Sequence, residues 1–299
     1  MTAAGPLAVV IVHRGRPREL AATVAAFRDA GPDLPVEIVV VDNASSAEVL
    51  AGLAASLPVE VTVLSLGANT GFGPGANAGI RWALERGHEL VAVAPHDALP
   101  DPGCLAALVA AMGERPRAGL VSADVGDGHR PYVDPYFGGI TLPRTREEGW
   151  EDCHYPHGTL LVARRACLEQ VGLFDERYFA YCEEADLGLR ARRAGWQVGI
   201  VHGARVRNPG MSVATDATDY LMSRNTLLLV REHSGRYHAF VRAVLLVVQI
   251  VGGTLRPASR PWIFSARGRT WALVDHVRRR YGPPPQRLAR DLSTVGGAG

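Results

Sequence analysis

The stretch Val91–Pro102, VAVAPHDALPDP, combines an apolar run, a carboxylate and a proline-containing turn. The apolar run predicts a buried strand of a parallel sheet, and Asp97 follows where that strand ends. Ligands of open α/β folds bind at the carboxyl ends of parallel strands, where a carboxylate suits a divalent cation bound to phosphate oxygens. On these residues alone, an ordinary turn opened by Asp97 before Pro100 and Pro102 explains the pattern equally well.

Two β-α units and a third strand precede this stretch. Leu7–Val12 and Val36–Val41 are β-branched runs typical of buried strands, and Val59–Leu66 alternates toward a third strand. Helical patterns over Arg18–Ala30 and Val49–Leu57 separate them. Strands and helices that alternate in this order predict right-handed crossovers and a parallel sheet.

Polar and glycine-rich turns follow these strands. Asp42 ends the second strand, where it can accept hydrogen bonds from a nucleotide or act as the N-cap of the next helix. Gly67–Ile80, GANTGFGPGANAGI, precedes a helical stretch, Arg81–Arg86. Such a glycine-rich segment permits close backbone approach to phosphate at a helix N-terminus, although a turn without a ligand is as common.

Composition limits the class of protein. The chain has 299 residues, 47% of them hydrophobic and 21% charged, which predicts one large globular domain or a domain with an appendage. A net charge of +2 gives no support for nucleic-acid binding. Four cysteines without a CxxC pair, and an N-terminal segment without a leader pattern, predict a reduced, cytoplasmic protein. Ala243–Leu255 is too short to span a membrane but long enough to lie on its inner face.

The second half of the chain contains an acidic cluster. In Val171–Arg190, VGLFDERYFAYCEEADLGLR, three acids mark the start of a predicted helix: Glu183, Glu184 and Asp186. Acids in the first turn of a helix are stabilised by its dipole, so an acidic cap alone accounts for them. The preceding segment, Asp124–Cys153, has low periodicity and several aromatic residues, which is typical of a sugar-binding loop or of a flap over the core.

Together these motifs resemble family-2 glycosyltransferases with the GT-A fold, in particular the bacterial rhamnosyltransferase-like branch. The matching segments are VVIVHRGRPREL, VEIVVVDNASS, NTGFGPGANAGI, PHDALPDPG, VGLFDE and FxYxEExDLxxR. The resemblance implies an α/β, Rossmann-related, mostly parallel sheet flanked by helices, with a helical C-terminal extension. The catalytic domain would span residues 1–232, with a nucleotide-sugar half to about 122 and an acceptor half from 123, and residues 233–299 would form the extension.

The resemblance also implies site residues. It places the catalytic base at Glu184, with Glu183 as its competitor and Asp186 as a supporting acid. The implied donor site consists of Val12, His13, Asp42, Asn69, Gly71, Asn77, His96, Asp97 and Arg224. The acceptor entrance would be lined by His154, His157 and Gly158, and the metal ligands would be Asp97, His96 and Asn208. On its position alone, Arg224 is equally a surface charge of a helix.

The sequence departs from the family where the cation would bind. Relatives have Asn-Pro-Asp or Asp-Asp-Asp where this chain has Pro95, His96 and Asp97, and commonly a histidine where Asn208 stands. One carboxylate remains, so a Mn²⁺ or Mg²⁺ ion would be bound weakly or be dispensable. A neutral imidazole suits Mn²⁺ better than Mg²⁺, which prefers oxygen ligands.

The function implied by the resemblance is inverting transfer of a hexose or deoxyhexose from a nucleoside-diphosphate sugar to a hydroxyl. The donor would be linked to dTDP or UDP, with rhamnose as the first choice, and the acceptor would be a glycan, a lipid-linked glycan or a natural product. The reduced metal set leaves a nucleotide-sugar-binding protein with little turnover as the alternative. A dinucleotide-dependent oxidoreductase is weakly supported, because no strict GxGxxG follows the first strand. Peripheral membrane contact and a homodimer both stay open.

Overall fold

The computed structural model of this chain describes residues 6–31, 34–209 and 215–288. Its strands are β1 (Leu7–His13), β2 (Val36–Asp42), β3 (Thr62–Ser65), β4 (Leu90–Pro95), β5 (Leu99–Pro100), β6 (Ala118–Asp124), β7 (His129–Asp134), β8 (Gly138–Pro143), β9 (Gly149–Asp152), β10 (Leu161–Arg164) and β11 (Gln197–Arg207). Its α-helices are α1 (Pro17–Asp29), α2 (Ala47–Ser56), α3 (Phe72–Glu85), α4 (Cys104–Gly113), α5 (Arg165–Val171), α6 (Glu183–Arg193), α7 (Asp216–Ser234), α8 (Arg236–Leu255) and α9 (Ala266–Val277).

A mixed sheet forms the centre of the described part of the chain. Its strand order is β3-β2-β1-β4-β10-β6-β11-β5, with β9 paired to β11. Strands β3, β2, β1 and β4 are parallel, as are β6 and β11, whereas β10 runs antiparallel between β4 and β6. The predicted mostly parallel sheet flanked by helices is therefore confirmed, and the antiparallel β10 joins its two halves.

Alternate residues of the central strands pack into separate cores on the two faces of the sheet. In β1, Leu7, Val9 and Ile11 belong to one apolar cluster, whereas Ala8 and Val10 belong to the other. A strand covered by helices on both faces must be apolar at every position, which explains the unbroken hydrophobic runs of the sequence. Because both faces are covered, a ligand can reach these strands at their ends.

Strand register brings the ends of three strands together. His13 pairs with Asp42 across β1 and β2, and Val12 pairs with Pro95 across β1 and β4. Val12 itself is buried in the core. The turn that contains His96 therefore begins beside the end of β1, as the parallel topology predicts.

The glycine-rich segment is helical for most of its length. The prediction of a loop up to Arg81 is wrong, because α3 begins at Phe72 and includes Gly73, Gly75 and Gly79. A Cβ atom at Gly79 would lie 2.2 Å from a methyl group of Val10, so the glycine lets α3 pack directly on β1.

The segment between β6 and β10 is more regular than its sequence suggests. Instead of a loop over Asp124–Cys153, β7 and β8 form an antiparallel hairpin and β9 pairs with β11. These strands are only four to six residues long and half-buried, so their alternation is too brief to stand out in the sequence.

The C-terminal part is helical, as expected, but its apolar helix is longer than predicted. The apolar stretch was placed at Ala243–Leu255, whereas α8 begins at Arg236 and has 20 residues. By length and composition alone, α8 is the one helix in the described ranges that could cross a membrane. The expectation that this segment is too short to do so is therefore wrong.

Candidate active site

A cavity of about 370 Å³ lies where β4 ends and α6 begins. It is lined by Phe72, Pro95, His96, Asp97, His157, Gly158, Thr159, Ala180, Tyr181, Glu183, Glu184 and Asn208. Larger clefts, of about 570 and 470 Å³, contain none of the residues predicted for the site. The cavity therefore unites the acidic turn after β4 with the acids of the second half of the chain.

His96 and Asp97 contribute the turn after β4. The hydroxyl of Thr23 in α1 donates a hydrogen bond of 2.6 Å to the carbonyl of His96, which ties this turn to the helix. Nε2 of His96 is buried and has no hydrogen-bond partner. Burial lowers the pKa of His96, although the nearby charge of Asp97 raises it. A neutral imidazole with an unpartnered nitrogen can act as a metal ligand.

The residues of the cavity offer a partial ligand set for a divalent cation. Within the described ranges, no group of three or more His, Cys, Asp or Glu side chains could hold a metal ion. Asp97, His96 and Asn208 nevertheless line the same cavity. Mg²⁺ is usually held by one or two carboxylates together with substrate phosphates. The site thus fits a cation shared with a diphosphate, and does not fit a cage of protein ligands alone.

His13 and Asp42 form a buried pair beside this turn. Nδ1 of His13 lies 3.0 Å from Oδ1 of Asp42, and Nε2 accepts a hydrogen bond from the backbone N–H of Arg16. Nδ1 therefore carries the proton, and burial lowers the pKa of the ring despite the carboxylate. The rings of His13 and His96 are in edge contact, with centroids 5.6 Å apart. Asp42 is fully buried beneath the site, and Ser46 caps α2 instead.

Glu183 and Glu184 begin α6 and differ in their access to the cavity. Glu183 is buried and one of its carboxylate oxygens has no hydrogen-bond partner, whereas Glu184 is partly exposed. Burial raises the pKa of Glu184 to about 6. Burial, together with the charge of Glu184, raises the pKa of Glu183 well above its usual range. Glu183 therefore holds a proton more strongly than Glu184, and Glu184, which is partly exposed and ionised above pH 6, is the better placed of the two to accept a proton.

The backbone just before α6 is strained. Three residues of this left-handed segment have positive φ angles: Phe179 at 66°, Tyr181 at 71° and Cys182 at 73°. Residues other than glycine rarely adopt such angles, and the surrounding structure has to maintain them. On one side Gly71 permits the close packing of this segment, because a Cβ atom at Gly71 would lie 2.2 Å from the carbonyl oxygen of Phe179. The segment leads directly into Glu183 and so determines where α6 begins.

Asn225 of α7 holds the left-handed segment from the other side. Its side-chain amide donates hydrogen bonds of 2.7, 2.7 and 2.9 Å to the carbonyls of Tyr178, Ala180 and Tyr181. Its Oδ1 accepts from the guanidinium of Arg224, which also donates to the carbonyl of Tyr178. Both side chains are fully buried. Asn225 therefore satisfies the carbonyls of Ala180 and Tyr181, and it shares the carbonyl of Tyr178 with Arg224 and with the N–H of Ala180.

Arg224 lies in a different place from the one that the resemblance implied. Its Nη1 donates to the hydroxyl of Tyr220, which in turn donates to the carboxylate of Asp275 in α9. The side chain is buried and does not line the cavity. The guanidinium thus connects the left-handed segment to the C-terminal helices, and it is neither a surface charge nor in reach of a diphosphate in this geometry.

We expect Asn225→Ala to lower kcat by about 10²-fold, because displacing a catalytic group by about 1 Å costs that much. Substrate KM should change less than kcat, since Asn225 bonds the segment before α6 and not the turn that contains Asp97. The carbonyls of Ala180 and Tyr181, which lose their side-chain donor, should also cost about 1–3 kcal/mol of unfolding free energy. Steady-state kinetics and thermal unfolding measure both effects. Ser223→Ala, which removes a buried hydroxyl bonded to Asp219 on the same helix, is the matched control. Equal losses in the two variants would contradict a positioning role for Asn225.

Asp186 lies outside the cavity, in a buried ion-pair network. Its two oxygens bind Nε of Arg190 at 2.8 Å and Nε2 of His233 at 2.7 Å. Burial raises the pKa of Asp186, but these hydrogen bonds and charges outweigh burial and hold it below its usual range. Asp186 therefore fastens α6 to the end of α7, and the geometry gives it no direct part in a proton transfer.

Three other predicted residues make bonds within the chain and do not line the cavity. Asn69 accepts the backbone N–H of Gly71, and Asn77 binds both the N–H and the carbonyl of Phe174. His154 accepts a backbone N–H from β7. In this structure they stabilise the backbone around the site, and Asn77 links α3 to the segment between α5 and α6.

Two contributors were missed in the sequence. Asn43 donates to the carbonyl of Gly71 and accepts from the N–H of Thr70, which fixes the turn before α3. Asn43 directly follows Asp42 at the end of β2, so the signal that selected Asp42 could also have selected Asn43. The left-handed segment had no such signal, because it contains no glycine to mark its positive φ angles.

Comparison with known proteins gives relatives in sequence. A family model described as Glycosyl transferase family 2 matches residues 8–172. The chain is 28% identical over 251 residues to the N-acetylglucosaminyl-diphospho-decaprenol L-rhamnosyltransferase of Mycobacterium tuberculosis. That alignment covers 71% of this chain and 80% of the relative.

Comparison with solved structures gives neighbours in fold. GalNAc-T7 with UDP, GalNAc and Mn²⁺ has a TM-score of 0.61 at 15% identity, over 98% of this chain and 57% of that one. Residues 1–349 of S. aureus TarS with UDP-GlcNAc have a TM-score of 0.54 at 14% identity, over 95% of this chain and 83% of that one. The chain covers 52% of a longer TarS chain, about half its length. At these identities the likeness concerns the fold.

Proposed function

Because the chain belongs to glycosyltransferase family 2, we propose that it transfers a hexose or deoxyhexose from a nucleoside-diphosphate sugar to an acceptor hydroxyl, with inversion at the anomeric carbon. The observation that carries this proposal is the single cavity lined by both Asp97 and Glu184. A carboxylate that can share a cation with a diphosphate and a carboxylate that can take a proton are the two groups that a single displacement requires.

In the proposed reaction Glu184 is the general base. Its carboxylate takes the proton of the acceptor hydroxyl while that oxygen forms a bond to C1 of the sugar. The bond from C1 to the diphosphate oxygen breaks at the same time, and the diphosphate leaves with the electron pair. Attack on the face opposite the leaving group inverts C1, so one base suffices and no covalent intermediate with the protein forms. Burial and the charge of Glu184 raise the pKa of Glu183, which favours a neutral side chain beside the base.

The leaving diphosphate would be held at the side of the cavity formed by the turn after β4. Asp97 would hold a divalent cation there, with Nε2 of His96 and Asn208 as further ligands. When bound, the cation would neutralise charge that develops on the diphosphate. We propose that sugar transfer depends on this cation, and that the diphosphate completes the ligand set that the protein supplies only in part.

The donor and acceptor are proposed by analogy. The similar mycobacterial protein is named as a rhamnosyltransferase that acts on N-acetylglucosaminyl-diphospho-decaprenol. We therefore propose a dTDP- or UDP-linked hexose, rhamnose first, as the donor and a lipid-linked glycan as the acceptor. Glycans without a lipid and small natural products are weaker candidates.

A panel of nucleoside diphosphates and their sugars, with and without Mn²⁺, tests the donor class. A ligand at about 100 times its Kd adds about 2.7 kcal/mol of stability, which thermal unfolding detects. The stabilising donors are then tested for slow release of nucleoside diphosphate and for transfer. Binding without any release or transfer would favour the alternative, a nucleotide-sugar-binding protein with little turnover.

The choice of metal provides a further test of the proposed cation site. We expect donor binding to be tighter with Mn²⁺ than with Mg²⁺, because an imidazole ligand suits the softer ion. His96→Ala should remove this preference and weaken Mn²⁺-dependent binding by about tenfold or more. Calorimetry of donor binding with each metal measures it, with His129→Ala, a partly exposed histidine of β7, as the control. Identical metal profiles for the parent and His96→Ala would exclude His96 as a ligand.

A further inference from the structure

The outer face of α8 is a continuous apolar stripe. It consists of seven exposed side chains: Tyr237, Phe240, Val244, Val247, Val248, Val251 and Leu255. At 100° per residue these positions fall within an arc of roughly 100°, and at 1.5 Å per residue they extend for roughly 27 Å. None of them is polar or charged apart from the tyrosine hydroxyl. An exposed apolar surface of this extent marks an interaction site in a folded protein.

The chain segment that carries this stripe is basic, although two of its arginines, Arg267 and Arg269, pair with Asp216 and Asp219 of α7. Between Glu232 and Asp275 the chain contains six arginines and no aspartate or glutamate. Arg236 begins α8, Arg256 follows its end, and both are exposed. Trp262, just beyond, is 69% exposed. Aromatic and basic residues at the ends of an apolar helix face are typical of helices that lie in the headgroup region of a membrane.

The opposite face of α8 packs on the protein close to the site. Leu246 and Gly253 on this face are buried. The half-buried Arg242, in the first half of the helix, lies on this face near Cys182, at the end of the left-handed segment. To cross a membrane, α8 would have to leave α7 and α9 and carry Arg242 into the hydrocarbon, which is unfavourable. The packing thus favours a helix that lies along a surface.

We infer that the apolar stripe of α8 and its flanking arginines bind the surface of a membrane that contains anionic phospholipids. The apolar side chains would enter the boundary between headgroups and acyl chains, and the arginines would attract the negative surface. A surface-bound α8 would keep the cavity beside a membrane in which a lipid-linked acceptor resides. That last link rests on the proposed function, whereas the binding itself does not.

Co-sedimentation of the full chain with vesicles tests the inference without donor or acceptor. We expect binding to vesicles of phosphatidylcholine mixed with phosphatidylglycerol, weaker binding at high NaCl, and little binding to phosphatidylcholine alone. The double variant Val248→Glu/Val251→Glu should lower the partition coefficient by about tenfold or more for each valine withdrawn from the lipid. Both side chains are exposed, so the variant should unfold at the parent temperature and still hydrolyse the donor.

Val59→Glu is the matched control, because Val59 is a fully exposed valine between α2 and β3. It should bind the mixed vesicles as the parent does.

Absence of parent binding, or equal binding by the double variant, would overturn the inference. So would a parent dimer that the double variant converts to a monomer, which would make a second copy the occupant of the stripe. Resistance of the bound protein to alkaline carbonate would indicate a spanning helix instead. Vesicle binding by a protein that hydrolyses no donor would leave this inference standing and refute the proposed function.

Discussion

Replacing Glu184 by glutamine is expected to lower kcat for sugar transfer by about 10²–10⁴-fold, the usual contribution of a general base. Glutamine has the shape of glutamate but cannot accept the proton of the acceptor hydroxyl at neutral pH. Burial disfavours the charged carboxylate, so the variant should unfold at the same temperature as the parent at pH 7, or at a higher one. Donor affinity should be retained, because the diphosphate would lie at the Asp97 side of the cavity.

The pH profile of the parent provides a second measurement of the same assignment. Because burial raises the pKa of Glu184 to about 6, the base form predominates above that pH. The value of kcat/KM should therefore fall by about tenfold for each pH unit below 6 as the carboxylate becomes protonated. This acidic limb should be absent from the residual activity of Glu184→Gln.

Glu183→Gln is the matched control, since it makes the same chemical change one residue away. Burial and the charge of Glu184 favour the protonated form of Glu183, which glutamine resembles, so this variant should retain most of the activity. If Glu183→Gln abolished transfer while Glu184→Gln preserved it, the base would be Glu183 and the proposed assignment would be incorrect. Losses of the same size in both would indicate that the pair acts as one unit.

Asp97→Asn is expected to have the second large effect, a loss of about 10²-fold or more in transfer and in donor hydrolysis. The amide keeps the size of the side chain but removes the carboxylate that would hold the cation against the diphosphate. Donor binding measured by calorimetry should weaken in Mn²⁺ and equal that of the parent in EDTA. This equality is important, because a general distortion of the site would weaken binding under both conditions.

Asp101→Asn controls for the change of charge in the same turn. Asp101 forms an exposed ion pair with Arg207, and surface pairs of this kind contribute little. Its substitution should leave both donor binding and turnover near the parent values. Parent-like turnover and Mn²⁺ dependence in Asp97→Asn would rule out the proposed cation site and leave the diphosphate to other groups.

The candidate site could be predicted in part because strand ends are visible in a sequence. Asp97 was marked by the apolar run before it, whereas Glu183 and Glu184, which their place at the start of a predicted helix left open as a cap, were assigned to the site by the family signature that they match. Such signals are local, so they indicate which residues lie at the end of a strand or at the start of a helix. They do not indicate which other residues those side chains contact. Arg224 illustrates the limit, since its sequence neighbourhood is the same whether the guanidinium reaches a diphosphate or a tyrosine hydroxyl.

The sequence alone determined the alternation of strands and helices, the parallel order of the first strands and the residues at their carboxyl ends, because periodicity and polarity over a few residues control each of these. Only the tertiary structure decided that β10 enters the sheet antiparallel, that α3 starts among the glycines, and that Asn225 holds the left-handed segment before Glu183. Each of these depends on contacts between residues far apart in the chain, such as Gly79 with Val10 or Asn225 with Tyr181. The same reason separates the two carboxylates of α6, since burial, which no local pattern of the sequence records, raises the pKa of Glu184 to about 6 and, with the charge of Glu184, raises the pKa of Glu183 well above its usual range.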